Sequence, residues 1–543
     1  DQTPMKKYIL IILILLSPLT AFLQADNLTS PLISIVPRPT QIVPGRGNFT
    51  FSAQTVFAVE SQEQAVIARN FIDLFTRAAG ITPALNVGRE KGQVRFVTDS
   101  SLKSEAYLLE ITPEQILIKA SDTKGFFYAL QSIRQLLPAA IESEQPVRNV
   151  DWRVPAMTVQ DEPRFGFRGL LLDPVRCFIP KKNVLRIIDC MAMLKINKLH
   201  FHLTDDNGWR IEIKKYPKLI EVGSKRKCSG LGWEWENDQF DNIPQAGHYN
   251  QEDIKEIVAY AKKLNITIVP EIEILTHSSA AIASYPQLGT TKKQIEVECR
   301  MGVFSEIIDV SDDFAIQFMH DVLDEVMALF PGEYIHIGGD EAHGNHWANS
   351  QSIRSLKNSL GITENFELQI WYFNQINKYL NEKGRKMMGW SDMAGPVGVA
   401  SKMAVDMPGA ISQYWAGSVD VLNHSLRLGF KVVQSHTDFA YFNAGLQNAY
   451  LTSCIPERVD ATKVKNIIGF EASCWSEWDS TLEKTFDHIF PRIAAYAETA
   501  WSKQSAKDYT NFKYRLSPMW DLWKARGIYV GGMDEKNYPG PGW

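Results

Sequence analysis

From Phe165 onward, short β-rich runs recur among helical patterns, and their number is the feature that most constrains the fold. The runs are Gly169–Asp173, Lys198–Leu203, Ile266–Glu271, Tyr334–Ile337, Lys386–Trp390, Ile411–Trp415, Lys431–Ser435 and Ile467–Ala472. Eight strands alternating with helical segments predict a (β/α)8 TIM barrel over 155–505. The clearest intervening helix is Gln251–Leu264, where Ile254, Ile257, Val258, Ala261 and Leu264 fall on one stripe. Asn250 is placed to cap it, and Glu252, Asp253, Lys262 and Lys263 complement the charges at its two ends.

Ahead of the barrel, 31–150 mixes strands with helical stretches and reads as a small α/β domain. Glu110–Lys119 is expected to form a hairpin, and Gly125–Leu137 a helix with Phe127, Leu130, Ile133 and Leu137 on one face. The polar stretch Glu142–Pro155, with two prolines, marks the expected boundary. Residues 506–543 have helical periodicity and close in a Pro-Gly-rich end, which predicts a C-terminal helical tail. At the other end Lys6 and Lys7 precede an apolar run from Tyr8 to Leu16 and small residues near Ala25. That pattern predicts a secretory signal peptide over 1–26, hence a secreted or periplasmic protein with no membrane span after cleavage.

The net charge, 57 basic against 62 acidic residues or −5, is without long runs of one sign, so no nucleic-acid partner is implied. The six cysteines lack metal-ligand spacing, and free thiols or one incidental disulfide are expected.

If the barrel forms, catalytic residues belong at the C-terminal ends of its strands. The fourth run ends in Gly338-Gly339-Asp340-Glu341. Neighbouring side chains on a strand point to opposite faces, but two glycines let the chain break its pleat and turn both acids toward one cavity. Two close carboxyls cannot ionise independently, which gives the protonated and anionic pair that glycosidic bond cleavage needs. A helix N-terminus near Ala342 would also favour acidic residues. The other strand ends repeat the pattern: Asp173 and Arg176, then Asp205 and Asp206, then Glu271 and His277. Trp390, Trp415, Tyr441 with Asn443, and Trp475 with Glu477 follow the last four. Aromatic faces beside carboxylates and one Arg suit a single sugar residue.

The motifs Arg168-Gly-Leu-Leu-Leu-Asp173, Asn197-Lys-Leu-His-Phe-His-Leu-Thr-Asp-Asp206, Pro270-Glu-Ile-Glu273, His336-Ile-Gly-Gly-Asp-Glu341 and Phe490-Pro-Arg-Ile-Ala-Ala495 resemble the family 20 glycoside hydrolases, the β-N-acetylhexosaminidases. The resemblance runs over about 35–505 and implies a retaining, substrate-assisted enzyme acting on terminal residues of N-acetylhexosamine-containing glycans, with neither metal nor other cofactor. It implies that Glu341 is the general acid and base and that Asp340 orients the acetamido group as an anion. It further implies that Arg176 and Glu477 hold the 3- and 4-hydroxyls, and that Asp205 and His277 support the acid. Trp390, Trp415 and Trp475 would line the pocket, with Tyr441 on the acetamido oxygen. This chain departs from the family pattern at Val175-Arg-Cys177, at Glu273-Ile-Leu-Thr-His277 and at Asn443, where an Asp is usual near the 6-hydroxyl.

Two rival readings arise from the same residues. A metal-dependent hydrolase could draw on His336, Asp340, His343 and His346, or on His200 and His202, which share a strand face. A sugar-binding protein without turnover could keep the same pocket.

Overall fold

The computed structural model describes residues 33–88, 91–231, 239–342, 345–477, 479 and 481–530. The expected signal peptide and the last residues of the tail lie outside them. Eight parallel strands close into a barrel in chain order: Phe167–Leu172, Lys198–His202, Thr267–Glu271, Tyr334–His336, Lys386–Trp390, Ile411–Tyr414, Lys431–Gln434 and Ile467–Cys474, the last pairing back to the first. All eight expected runs are strands of this barrel.

The barrel interior is layered. Phe167, Val269, Met388, Ile411 and Val433 plug the end where the strands begin. Above that plug the fillers become polar: Gln413 Nε2 donates to Glu471 Oε1 at 2.6 Å, and His200 Nδ1 lies 2.8 Å from the same oxygen. Gly169 makes room for this layer, since a Cβ there would stand 2.6 Å from Glu471 Cγ. The strand histidines are therefore filling the barrel, each against a carboxylate.

The helix Gln251–Lys263 forms as its sequence predicts, with Asn250 and Asp253 making a reciprocal capping box and Ile254, Ile257 and Ala261 buried. Each buried isoleucine stabilises the packing by about 1.5–3 kcal/mol, and the cap adds about 1 kcal/mol.

The N-terminal unit is a seven-stranded mixed sheet carrying helices Gln62–Ala79 and Thr123–Leu136. Its strands Tyr107–Ile111 and Ile116–Ala120 make the expected hairpin. Two expectations need correction here. The strand Arg153–Asp161 belongs to this sheet, pairing with Gln41–Thr50 and Tyr107–Ile111. The sheet therefore extends to Asp161, past the boundary at 150 that the prolines suggested; Pro155 is accommodated because it lies beyond the stretch paired to Tyr107–Ile111, which ends at Met157, and beside a register shift in the partner strand between Pro44 and Asn48. The second helix is buried on every side from Gly125 to Gln135 rather than along one stripe, because it lies between its own sheet and the barrel helix Lys181–Met193.

Buried charges join the two units. Lys195 Nζ, fully enclosed, donates to Asp161 Oδ2 and Tyr107 Oη at 2.9 Å each, and Arg168 Nη1 meets Glu105 at 2.7 Å. Removing one partner of such a pair costs about 3–5 kcal/mol. The helix Tyr509–Ala525 is not loose: Arg515 binds both oxygens of Glu498 and the carbonyl of Ile35. Among the described residues no helix is long and apolar enough to cross a membrane.

Candidate active site

At the C-terminal mouth of the barrel the strand Tyr334–His336 gives way to a turn through Gly338 and Gly339, with φ of 63° and 93°. These positions admit only glycine: a Cβ would lie 1.9 Å from Glu273 Oε2 at the first and 2.4 Å from Phe373 Cζ at the second. The turn is tied down by Gln369 Nε2 to the Gly339 carbonyl at 2.7 Å and Thr276 Oγ1 to the Asp340 carbonyl at 2.8 Å. Glu341 itself takes φ of 53°, a left-handed conformation uncommon for a side chain of its size. The result is that both acids face one imidazole: His277 Nε2 lies 3.3 Å from Glu341 Oε2 and 3.8 Å from Asp340 Oδ2.

These groups line a cavity of about 680 Å³, measured out to its mouth, together with Arg176, Asp205, Trp415, Tyr441, Asn443, Trp475 and Glu477. Trp390 is the one sequence-predicted wall residue missing from the lining. It is 1 % exposed and donates its indole N–H to Glu271 Oε1 at 2.9 Å, so it forms the layer beneath. From there its ring backs Trp475 at 5.9 Å and Trp415 at 6.4 Å.

Arg176 is fixed from three directions. Its guanidinium meets Asp205 at 2.8 Å and Asp173 at 3.2 Å, and lies 5.4 Å from the centre of the Trp475 ring. Asp205 and His277 both reach the site, with His277 Nδ1 3.7 Å from Asp205 Oδ1, and Asp206 joins them. Asp205 ends the short strand Thr204–Asp205 and Asp206 lies in the turn that follows. Asp205 turns to Arg176 and to His202 Nε2 at 3.0 Å, while Asp206 accepts from His277 Nδ1 at 3.0 Å and from Ser279.

The electrostatics follow from burial and these contacts. Burial opposes the His277 imidazolium, yet Asp205 and Asp340, with hydrogen bonds to Asp206 and Glu341, outweigh it and hold the ring charged. Burial likewise opposes ionisation of Asp205, but Arg176 and His277 hold its carboxyl well below the usual range. Asp340 goes the other way: burial raises it strongly, Glu341 and Asp392 add to the rise, and His277 only partly offsets them. Among the protein's own groups, then, the carboxyl expected to be the anion is the one favoured neutral. Glu477 is pushed up to about 7 by burial against the pull of Arg176.

Sequence reasoning passed over several groups of the site. Glu273, His202, Asn207 and Gly302 line the cavity, and burial with the nearby Asp340 and Glu271 keeps Glu273 protonated. Asp392 anchors Trp415 by accepting its indole N–H at 2.8 Å. Its position directly after Gly389-Trp390-Ser391, two residues beyond a barrel strand end, was the available signal.

Ligand atoms of His277, Asp340 and Glu341 come within 4.8 Å of one another, as do those of Asp205, Asp206 and His277. In both clusters the charged imidazole already supplies a cation to the carboxylates. Of the histidines in the metal reading, His200 and His336 are engaged with Glu271 at 3.0 and 2.9 Å. His202 contacts Glu271 and Asp205, and His343 lies outside the described residues. Two buried oxygens at the cavity, Asp340 Oδ1 and Glu477 Oε2, make no hydrogen bond to the protein. Buried acceptors are rarely left so unless a ligand uses them.

With this geometry, comparison with known proteins is informative. Residues 165–504 match the family model described as Glycosyl hydrolase family 20, catalytic domain, and 32–162 match Glycosyl hydrolase family 20, domain 2. A beta-hexosaminidase of Porphyromonas gingivalis is 32% identical over 506 residues, covering 89% of this chain and 62% of that protein. A beta-hexosaminidase of Vibrio furnissii is 30% identical over 486 residues, covering 86% of this chain and 76% of its own length. Among solved structures, the beta-N-acetylhexosaminidase from Bacteroides fragilis superposes with a TM-score of 0.77 at 27% identity, covering 92% of this chain and 96% of that one. A mutant Streptomyces plicatus beta-hexosaminidase in complex with GlcNAc gives 0.78 at 27% identity, covering 94% and 97%.

Proposed function

The chain belongs to glycosyl hydrolase family 20, and on that premise we propose that it is an exo-acting β-N-acetylhexosaminidase in which the substrate's own acetamido group is the nucleophile. The observation that carries this reading is the convergence of Asp340 and Glu341 on His277 Nε2. An ordinary retaining glycosidase flanks the scissile bond with carboxylates on opposite faces, about 5–5.5 Å apart. Here oxygens of Asp340 and Glu341 come within 4.8 Å of each other beside one imidazole nitrogen, a crowded arrangement that favours an attacking group supplied by the substrate. A 2-acetamido carbonyl oxygen can attack the anomeric carbon of its own sugar and close an oxazolinium ring.

In this mechanism Glu341 donates a proton to the leaving oxygen and later takes one from the incoming water. Asp340 accepts the acetamido N–H through its unpartnered oxygen. Asp340 gives up its proton to solvent before the chemical step, and the positive charge that grows on the oxazolinium, added to that of His277, stabilises its anion. Such an interaction is strongest when it is needed. Trp415 and Trp475 bound the acetamido and ring faces, Tyr441 points to the acetamido oxygen, and Arg176 with Glu477 takes the 3- and 4-hydroxyls.

Exo action is supported by the floor of the cavity, where, among the described residues, Trp475, backed by Trp390, and the Arg176 cluster close the depth of the pocket. The substrates are glycans and glycoconjugates ending in GlcNAc or GalNAc. Export through the segment 1–26 belongs to the same proposal, and N-terminal sequencing of protein from its native host tests it: a mature start near residue 27 supports export, and retention of Lys6 and Lys7 contradicts it. For activity, the test is turnover of an aryl β-N-acetylglucosaminide by the purified protein before and after exhaustive chelation. Undiminished release of the aryl group supports the reading. Binding without turnover points to a lectin, and loss of activity on chelation points to a metal enzyme.

A further inference from the structure

Four of the six cysteines are buried, and the two that are not, Cys228 and Cys299, lie beside each other, near enough for the Cys299 thiol to help raise that of Cys228. The pair joins two segments distant in the chain, and the backbone is already paired across it, with Gly230 N–H donating to the Cys299 carbonyl at 2.7 Å. An ion pair between Lys227 and Glu296 spans the same gap. Both segments belong to the wall of the sugar cavity. On one side, Arg226 donates to the carbonyls of Cys228, Val175, Asn207 and Arg176. On the other, Asn207 Nδ2 donates to the carbonyls of Glu298 and Arg300, which bracket Cys299, at 2.9 and 2.8 Å. Asn207 Oδ1 in turn accepts from Arg176 Nε at 3.4 Å. Gly302, shortly beyond Cys299, lines the cavity itself.

We propose that Cys228 and Cys299 are a site of oxidative modification, forming a disulfide that clamps together the two segments holding Arg176. A pair of neighbouring thiols, partly accessible and carried on segments already held in register, needs little backbone movement to bridge. The oxidant is a small or protein-borne disulfide. One thiolate of the pair attacks a sulfur of that disulfide and releases the first thiol. The second cysteine, giving up its proton, then displaces the mixed-disulfide sulfur and releases the other thiol. Two protons and two electrons leave the cysteine pair, and one disulfide donor is reduced to two thiols. The bond constrains the unfolded chain over a long loop and pre-organises Arg176 for a sugar hydroxyl. The kinetic consequence, unlike the bond, rests on the hexosaminidase reading.

The experiment equilibrates the full chain in oxidised and reduced glutathione at varied ratio, blocks free thiols with N-ethylmaleimide and maps the tryptic peptides. Cleavage at Lys227, Lys255, Lys293 and Arg300 places the two cysteines on separate peptides, 228–255 and 294–300. The expected result is a cross-link between these peptides in the oxidised protein, with Tm raised by a few degrees and KM for an aryl N-acetylglucosaminide lowered about threefold at nearly constant kcat. Cys228→Ser and Cys299→Ser should each abolish the response to oxidant. Peptides recovered only as maleimide or glutathione adducts across the whole range overturn the bond. A cross-link that leaves KM unchanged overturns the clamp. A protein that turns over no N-acetylhexosaminide at all refutes the activity, while the peptide map still decides the bond.

Discussion

His277 holds its Nε2 3.3 Å from Glu341 Oε2, so the group assigned as proton donor sits against a charged imidazole. That contact fixes the Glu341 carboxyl at the mouth of the cavity. Replacing Glu341 by Gln keeps the shape and removes the transferable proton. For natural glycans, whose leaving groups are poor, kcat should fall roughly 10²-fold or more. Aryl substrates with good leaving groups should lose far less. Equal losses for the two classes would show that Glu341 is not the donor.

The raised carboxyl of Glu477 gives a pH dependence to substrate binding. Its value of about 7 means that the group is increasingly neutral as pH falls below that point, and a neutral carboxyl is a weaker acceptor for sugar hydroxyls. KM should therefore rise as pH is lowered through 7, approaching about tenfold per unit, and level off above it. Glu477→Gln should have a higher KM that no longer varies over this range. A wild-type KM that is flat between about pH 5 and 8 would contradict the assignment.

Asn443 lines the cavity, and the family resemblance implies that an Asp near the 6-position is usual at its place. A carboxylate there would repel a 6-sulfate, whereas an amide donates to a sulfate or a hydroxyl alike. The chain should tolerate 6-sulfated GlcNAc, and Asn443→Asp should lower the ratio of kcat/KM for sulfated over plain aryl GlcNAc by about tenfold or more. An unchanged ratio would place Asn443 away from the 6-position.

The barrel was legible because each strand run is short and set off by helical stretches, so all eight registered in the sequence. The placement of Asp340 and Glu341 was legible for a related reason, since Gly338 and Gly339 announce a turn that only glycine can make. Trp390 was misplaced by one layer because a strand-end aromatic can face the cavity or support those that do, and the choice depends on Glu271, which arrives from another strand. The Asp205 and Asp206 pair was likewise ambiguous. Which of two adjacent acids hydrogen-bonds His277 is set by a two-residue strand too short to have a pattern. The direction of the Asp340 shift depends on burial by groups distant in the chain and on the nearby charge of Asp392. The Arg153–Asp161 strand was hidden by its proline, its polar surroundings and a broken alternation, since Val154 and Ala156 are buried but so are Met157 and Val159.

The central claim is that the acetamido group of the substrate is the nucleophile, and the most direct measurement compares kcat/KM for aryl β-N-acetylglucosaminide with that for the matching aryl β-glucoside. The two sugars differ only at the 2-position, so Arg176, Glu477 and Glu341 meet the same groups in both. Removing the internal nucleophile forfeits the advantage of an intramolecular reaction as well as the contact to Asp340, and the glucoside should be slower by at least about 10³-fold. A glucoside turned over within about tenfold of the acetamido substrate would contradict the account and require a carboxylate nucleophile on the enzyme.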